Sequence, residues 1–443
     1  MNRRRLVPIA LRIATLLGSG TFASSAAADD PSDNEVGGVI ERASPPGDTV
    51  RSAVDALLFV PRSVVRVAVF ASTATASFFE DQQVIPRTRA LLGTEDDAVR
   101  ITPTVSLASG LRPDLGARAT SRTGSFASML RTSIIDRDSY VVEGRLLQGL
   151  GDRQRTQLVL EGYQERRIGG WSGVGPVPSQ DGRNAFLPDH AGGAAVFLQA
   201  RQRIIAAAGT RVADDYELLL SSSFQRRKIE DAPDYVDTIG STFVPGTVPG
   251  AYDRSERIYT EATVRRDTRA VRGPPAAGLL LEAYGGSSVD TNGVYVPALH
   301  AGGRASWFIS VVRKTSIINP RVTLDVVSPL GSKGLPFVEY ASASGFRGVS
   351  GRSDRVAALA SLDYRWQLRP FVAARVFVDF TTVAPTIPKL SVEHLAWAAG
   401  FGIDLHSSQT AIGRIAFAGA PDNVQLILVF GLADPGFGDR QHR

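Results

Sequence analysis

The five histidines in this 443-residue chain stand at 190, 300, 394, 406 and 442, in no H-x-x-x-H or HExxH spacing, and cysteine is absent. That excludes a disulfide framework, a thiolate nucleophile, a Cys-ligated zinc and an iron–sulfur cluster, and it leaves little for a histidine metal site. No metal and no cofactor are therefore expected. Ser221 to Ser223 lack a G-x-S-x-G context, and Ser350, within G-V-S-G-R, lacks the strand–elbow–helix setting of an activated serine. The paired carboxylates Asp214 and Asp215 fall in an expected turn and read as solvated, and Gly169-Gly170-Trp171-Ser172-Gly173 reads as a loop and not a phosphate cradle. No catalytic residue is assigned, and the chain is not expected to be an enzyme.

The chemistry that remains is electrostatic. Glu161, Glu217, Glu261, Arg265, Arg321, Asp325, Asp363, Arg365, Arg375, Asp379, Asp404 and Arg414 each sit in a run where polar residues alternate with apolar ones. Both signs are present, so these groups suit pairing across an enclosed space better than a single-sign ion filter. A further arginine, Arg347, lies in the connection 328–354 within Gly345-Phe346-Arg347-Gly348-Val349-Ser350-Gly351. A guanidinium forks onto carboxylates with strong directionality, and flanking glycines let the backbone turn tightly beside it. Arg347 held by Asp363, Asp379 or both would anchor a long loop.

The elements that must position these charges are strands. Val372, Ala374, Val376, Val378 and Phe380 share one face, while Ala373, Arg375, Phe377 and Asp379 share the other. The same split recurs in 362–368, 394–405, 216–225 and 424–430. Sixteen strands are expected: 101–110, 113–121, 124–134, 138–148, 154–165, 192–204, 213–226, 255–267, 276–288, 298–312, 315–327, 355–368, 371–381, 394–405, 410–420 and 423–430. Most are about ten residues or longer, the length a tilted membrane strand needs. The long connections, 166–191, 227–254, 289–297, 328–354 and 382–393, all follow odd-numbered strands. A soluble sandwich has no reason to sort its loops by parity, whereas an outer-membrane barrel places short turns at the periplasmic rim and long loops outside. The fold class is all-β, a 16-stranded antiparallel transmembrane β-barrel with a short N-terminal helical segment.

Residues 1–28 read as a cleaved signal peptide, with Arg3 to Arg5, an apolar stretch from Leu6 to Phe22, and Ala26 to Ala28 before Asp29. Four of the 49 Lys and Arg lie there, which leaves 45 bases against 44 acids and argues against a nucleic-acid partner. Residues 29–100 read as a periplasmic leader followed, over 48–79, by helix, with Arg62, Arg66 and Pro61 favouring an amphipathic helix over a spanning one. The barrel is expected over 101–430 and a tail over 431–443.

Several of these residues resemble the motifs of a known family, the bacterial surface antigen or outer-membrane protein assembly-factor superfamily of BamA- and TamA-like barrels and two-partner secretion transporters. Its sixth extracellular loop enters the barrel and carries V-R-G-F/Y. Phe346-Arg347-Gly348-Val349 looks like that motif with the flanking residues exchanged. Asp363-Tyr364-Arg365 resembles the acid, hydrophobe and arginine of the next strand, and Phe377-Val378-Asp379-Phe380 resembles F-x-D-x-G with Thr381 in place of glycine. Asp267-Thr268-Arg269 with Gly278, and Pro336 to Tyr340, are weaker matches. The resemblance implies that Arg347, Gly348, Asp363, Arg365 and Asp379 anchor the loop in the lumen, and that Phe430 serves as the terminal-strand aromatic. It departs from the family in two ways: 29–100 shows no strand pattern, so POTRA domains are expected to be missing, and thirteen residues follow Phe430.

The resemblance further implies outer-membrane protein assembly or polypeptide translocation. Expected partners are outer-membrane lipid, unfolded client polypeptides and a periplasmic partner at the N-terminal helix. The alternative is a structural or small-solute pore whose inserted loop plugs the lumen. An outer-membrane hydrolase is a third reading, for which no nucleophile can be named.

Overall fold

A computed structural model describes residues 99–430 except 109–113, 137–138, 152–154, 191–192, 270–276, 313–314, 333, 344, 349–350, 370–371, 407–410 and 422. The expected signal peptide, leader, amphipathic helix and C-terminal tail lie outside the described residues. Sixteen antiparallel strands form one closed barrel. They are β1 (Val99–Ala108), β2 (Asp114–Thr123), β3 (Phe126–Ile134), β4 (Tyr140–Leu150), β5 (Thr156–Trp171), β6 (Ala195–Arg211), β7 (Tyr216–Asp231), β8 (Arg254–Asp267), β9 (Gly278–Asp290), β10 (Ala298–Val312), β11 (Ser316–Pro329), β12 (Val356–Arg369), β13 (Val372–Ala384), β14 (Ala396–His406), β15 (Ala411–Ala420) and β16 (Asn423–Phe430). Each pairs with its sequence neighbours, and β16 closes on β1 with Val105 opposite Phe430 and Ala108 opposite Ile427.

Closure follows from the period of two. Leu158, Leu160, Ile204, Leu218, Leu220 and Phe224 are large, apolar and exposed, while their odd-numbered neighbours Glu165, Ile205, Leu219 and Gln225 are buried on the other face. Such strands have an apolar band outside and a polar interior, and only a closed ladder pairs every backbone amide and carbonyl in that setting. Among the described residues no helix is long and apolar enough to cross a membrane.

Strand length varies from eight residues in β16 to seventeen in β6. β5 runs to Trp171 and β7 to Asp231, six and five residues past their expected ends, because 166–171 and 227–231 carry no apolar–polar alternation from which a strand could be read. At about 3.3 Å per residue, β5 to β8 are longer than a tilted membrane crossing requires, so they continue as a wall beyond it. The longest connections, 172–194, 232–253, 330–355 and 385–395, share the end that follows odd-numbered strands. One expectation is corrected: β9 extends to Asp290, so its connection, 291–297, is shorter than 268–277 at the opposite end.

The loops at the long-loop end pack a core of their own. Trp171, Phe197, Ile229, Phe243 and Phe337 are buried together, drawn from β5, β6, β7 and the connections 232–253 and 330–355. The Trp171 ring lies 4.7 Å from Phe243 and 4.6 Å from Phe337, and Phe197 meets Phe337 edge-on at 5.1 Å. A short parallel ribbon joins Gly173–Val174 to Arg352–Ser353, and the Trp171 Nε1 donates to Ser353 Oγ at 3.0 Å. The β11–β12 loop is therefore fixed to its neighbours as well as to the wall.

Candidate functional site

The inward positions of β12 and β13 bring two carboxylates side by side. Ser361 faces Asp379 across the ladder and Asp363 faces Phe377, so Asp363 and Asp379 stand on one face, two residues apart in register. Gly345 turns the incoming loop with φ of +89°, a conformation L side chains avoid, and Arg321 of β11 donates to its carbonyl at 3.3 Å. Two residues later Arg347 enters this pair.

Arg347 is bonded on every side. Its Nε donates to Asp379 Oδ2 at 2.7 Å, Nη2 to Asp379 Oδ1 at 2.5 Å and Nη1 to Asp363 Oδ1 at 2.5 Å. Nη2 also reaches Ser361 Oγ at 2.8 Å, and the Arg347 amide donates to Asp379 Oδ2 at 3.0 Å. The guanidinium stacks on Phe377, 3.6 Å from the ring centroid, which adds a cation–π contact under the fork. The Asp379 side chain is fully shielded and those of Asp363 and Arg347 are 7% and 12% exposed. At that burial the charge-assisted fork is strong and an unpaired carboxylate costly.

A chain of charges continues along the wall. Arg375 donates to Asp363 Oδ1 at 3.0 Å and to Asp404 Oδ2 at 3.0 Å, and Arg414 donates to Asp404 Oδ1 at 2.7 Å. Arg365 lies opposite Arg375 in register, and none of the described bonds of Arg347 comes from it. Gly348 is pressed against the wall: a Cβ there would lie 3.0 Å from Ala398 Cβ and 2.6 Å from the Phe346 ring. Phe430 is opposite Val105 and Gly413 at the closing seam.

Two further residues anchor the same loop: Glu339, within the weaker Pro336–Tyr340 match, and Asp354, which no motif marks. Glu339, 7% exposed, accepts from Arg227 Nη1 at 2.8 Å and from Gln225 Nε2 at 3.2 Å, which ties the Pro336–Tyr340 stretch to β7. Asp354, fully buried, accepts from Arg183 at 2.9 and 2.7 Å. Arg183 also grips Asp181, whose carboxyl is held below its usual range by those hydrogen bonds, while Asp181 and Asp354 together raise the Arg183 pKa. Asp267 and Arg269, from the weaker motif, bond each other at 2.8 and 2.7 Å at the short-turn end.

A buried serine–histidine contact also appears, with Ser288 Oγ 3.0 Å from His300 Nε2. Arg257 donates to the same hydroxyl at 2.9 Å, and the adjoining cavity of about 10 Å³ has room for one water and for no acyl substrate. Among the described residues no group of three metal-ligating side chains occurs. The arrangement built around Arg347 can hold a loop inside a barrel.

No family model matches the sequence, and no curated protein matches it. Solved barrels do. The crystal structure of BamA from Haemophilus ducreyi lacking POTRA domains 1–3 superposes with a TM-score of 0.52 at 17% identity, over 75% of this chain and 70% of that one. CdiB from Acinetobacter baumannii matches with a TM-score of 0.45 at 10% identity, over 75% of this chain and 60% of that one. CdiB from Escherichia coli gives 0.47 at 10%, over 74% and 62%. The likeness to the BamA barrel is one of fold.

Proposed function

We propose that this chain is an outer-membrane β-barrel of the surface antigen superfamily, acting in outer-membrane protein assembly or polypeptide translocation. The observation that carries the reading is the Arg347 clamp: a loop drawn into the lumen and forked onto Asp363 and Asp379. A barrel needing only mechanical stability gains little from burying three charges that must all be paired. A loop that has to remain inside the lumen while strands rearrange around it does gain from such a directional anchor. The 16-strand closure and the fold likeness to the BamA barrel support the same reading. In this reading the long-loop end faces outward, the short turns face the periplasm, and Asp363 and Asp379 are the receptors for Arg347. Partners are the membrane lipid and unfolded polypeptides.

The test is a photo-crosslinking side chain placed at Val424, which is exposed on β16 beside the seam. Capture in cells of newly exported outer-membrane polypeptides, chased to unlinked folded product, supports the proposal. A steady conductance in planar bilayers with no such capture overturns it in favour of a plugged solute pore.

A further inference from the structure

On β5 to β8 the outward positions change from apolar to charged at a single level. Ile204, Phe224 and Ile258 stand opposite one another across three strands, and the next outward row toward the long loops is Gln202, Arg226 and Glu256. The row beyond that is Arg166, Ala200, Lys228 and Arg254, three bases across four strands. By contrast, at the long-loop end the described outward positions of β9 to β14 carry no Lys or Arg.

These bases are not used up by their neighbours. Glu256, 16% exposed, sits between Arg226 at 2.7 Å and Arg254 at 2.5 Å, and Lys228 pairs with Glu230. Even so, the side chains of Arg226, Arg254 and Lys228 remain 44%, 50% and 54% exposed, and bases outnumber acids over the patch. A barrel exposes lipid-facing residues at this depth to headgroups and not to water alone. Arginine forks onto phosphate oxygens, while lysine acts as a point charge for them. Each base near an anionic headgroup layer strengthens binding by about fivefold.

We infer that the outward-facing patch of Arg166, Arg226, Lys228 and Arg254 binds the phosphate groups of an outer-leaflet glycolipid. The choice of leaflet rests on the orientation proposed above, with the long loops outside. The occupant is argued from charge and from level: phosphates on a sugar headgroup would lie just above acyl chains covering Phe224 and Ile258.

The experiment titrates the purified full chain, in neutral detergent micelles, with fluorescent lipid A. Wild type is compared with the triple variant R226Q/K228Q/R254Q, whose heat-modifiable gel migration reports an intact barrel. Losing three such bases predicts about a hundredfold weaker binding by the variant. The patch also predicts that lipid A stripped of both phosphates binds wild type equally weakly. Equal binding by wild type and variant, or by phosphorylated and dephosphorylated lipid A, overturns the inference. Competition by phosphatidylglycerol as strong as that by lipid A overturns the assignment to the outer leaflet. Because the purified barrel is read directly, this result is independent of whether the chain handles polypeptides.

Discussion

Arg347→Ala removes one guanidinium, and the structure says which partner suffers. Asp363 keeps Arg375 at 3.0 Å. Asp379, fully shielded, loses three donors from Arg347 and keeps Ser361 at 2.6 Å. Breaking a buried pair and stranding one charge costs roughly 3–5 kcal/mol, toward the low end if water enters the lumen. At about 1.4 kcal/mol per factor of ten, the ratio of inserted to released loop tip should fall by about two to four powers of ten. The base of the loop should stay in place, because Glu339, Ser353 and Asp354 are held separately. Limited proteolysis of the folded barrel should therefore cut near 343–351 much faster in the variant, with no new cuts near 337–340. Asp379→Ala should give the same pattern, and the double variant should add little, since both remove one interaction. Unchanged cleavage in Arg347→Ala, or a double variant much more labile than either single, would refute the pairing.

Gly348→Ala forces its methyl against Ala398 and Phe346 and should loosen the same tip at a cost of roughly 1–3 kcal/mol, read by the same cleavage. The lowered Asp181 pKa sets a pH window for the cap. A carboxyl whose folded pKa is depressed lends stability that is complete above its unfolded value near 4 and is lost as pH falls through the folded value. Protease resistance of 172–194 should thus be flat from about pH 8 to 5 and decline only below about 4. Tags near Asp181 and Thr247 should be reachable from outside intact cells and tags near Gly151 and Arg369 should not; reversed labelling would invert the proposed orientation.

Much of the barrel is legible because a membrane barrel writes its geometry directly into the chain. Lipid outside and charge inside impose the alternation seen in Val372 to Phe380, and turns against loops impose the sorting by strand parity. Legibility fails where the strands leave the apolar band. Arg166 to Trp171 and Arg227 to Asp231 are mixed on both faces, so their ladder pairing is visible only in the fold. In the site, Asp363 and Asp379 could be named because a charge at an inward phase must find a partner, and Arg347 because it stands between glycines in a long connection that resembles a known loop motif. Ser361 is a small hydroxyl among many, and Phe377 reads as an ordinary inward aromatic, so the sequence offers no reason to put either beside Arg347. Glu339 and Asp354 pair with Arg227 and Arg183, residues more than a hundred positions away on other elements, and no local spacing marks them.

The central claim, that the barrel works by letting its seam move around a retained loop, is tested most directly by locking that seam. The chain has no cysteine, and Ser106 of β1 lies directly opposite Val429 of β16. Directly opposed strand residues have Cα atoms about 4.5–5.5 Å apart, within reach of a disulfide. Cells carrying only the Ser106→Cys, Val429→Cys chain should lose correctly assembled or secreted client polypeptide when the bond is oxidised and recover it on adding reductant. A locked barrel that supports normal client levels in oxidised cells would contradict the account.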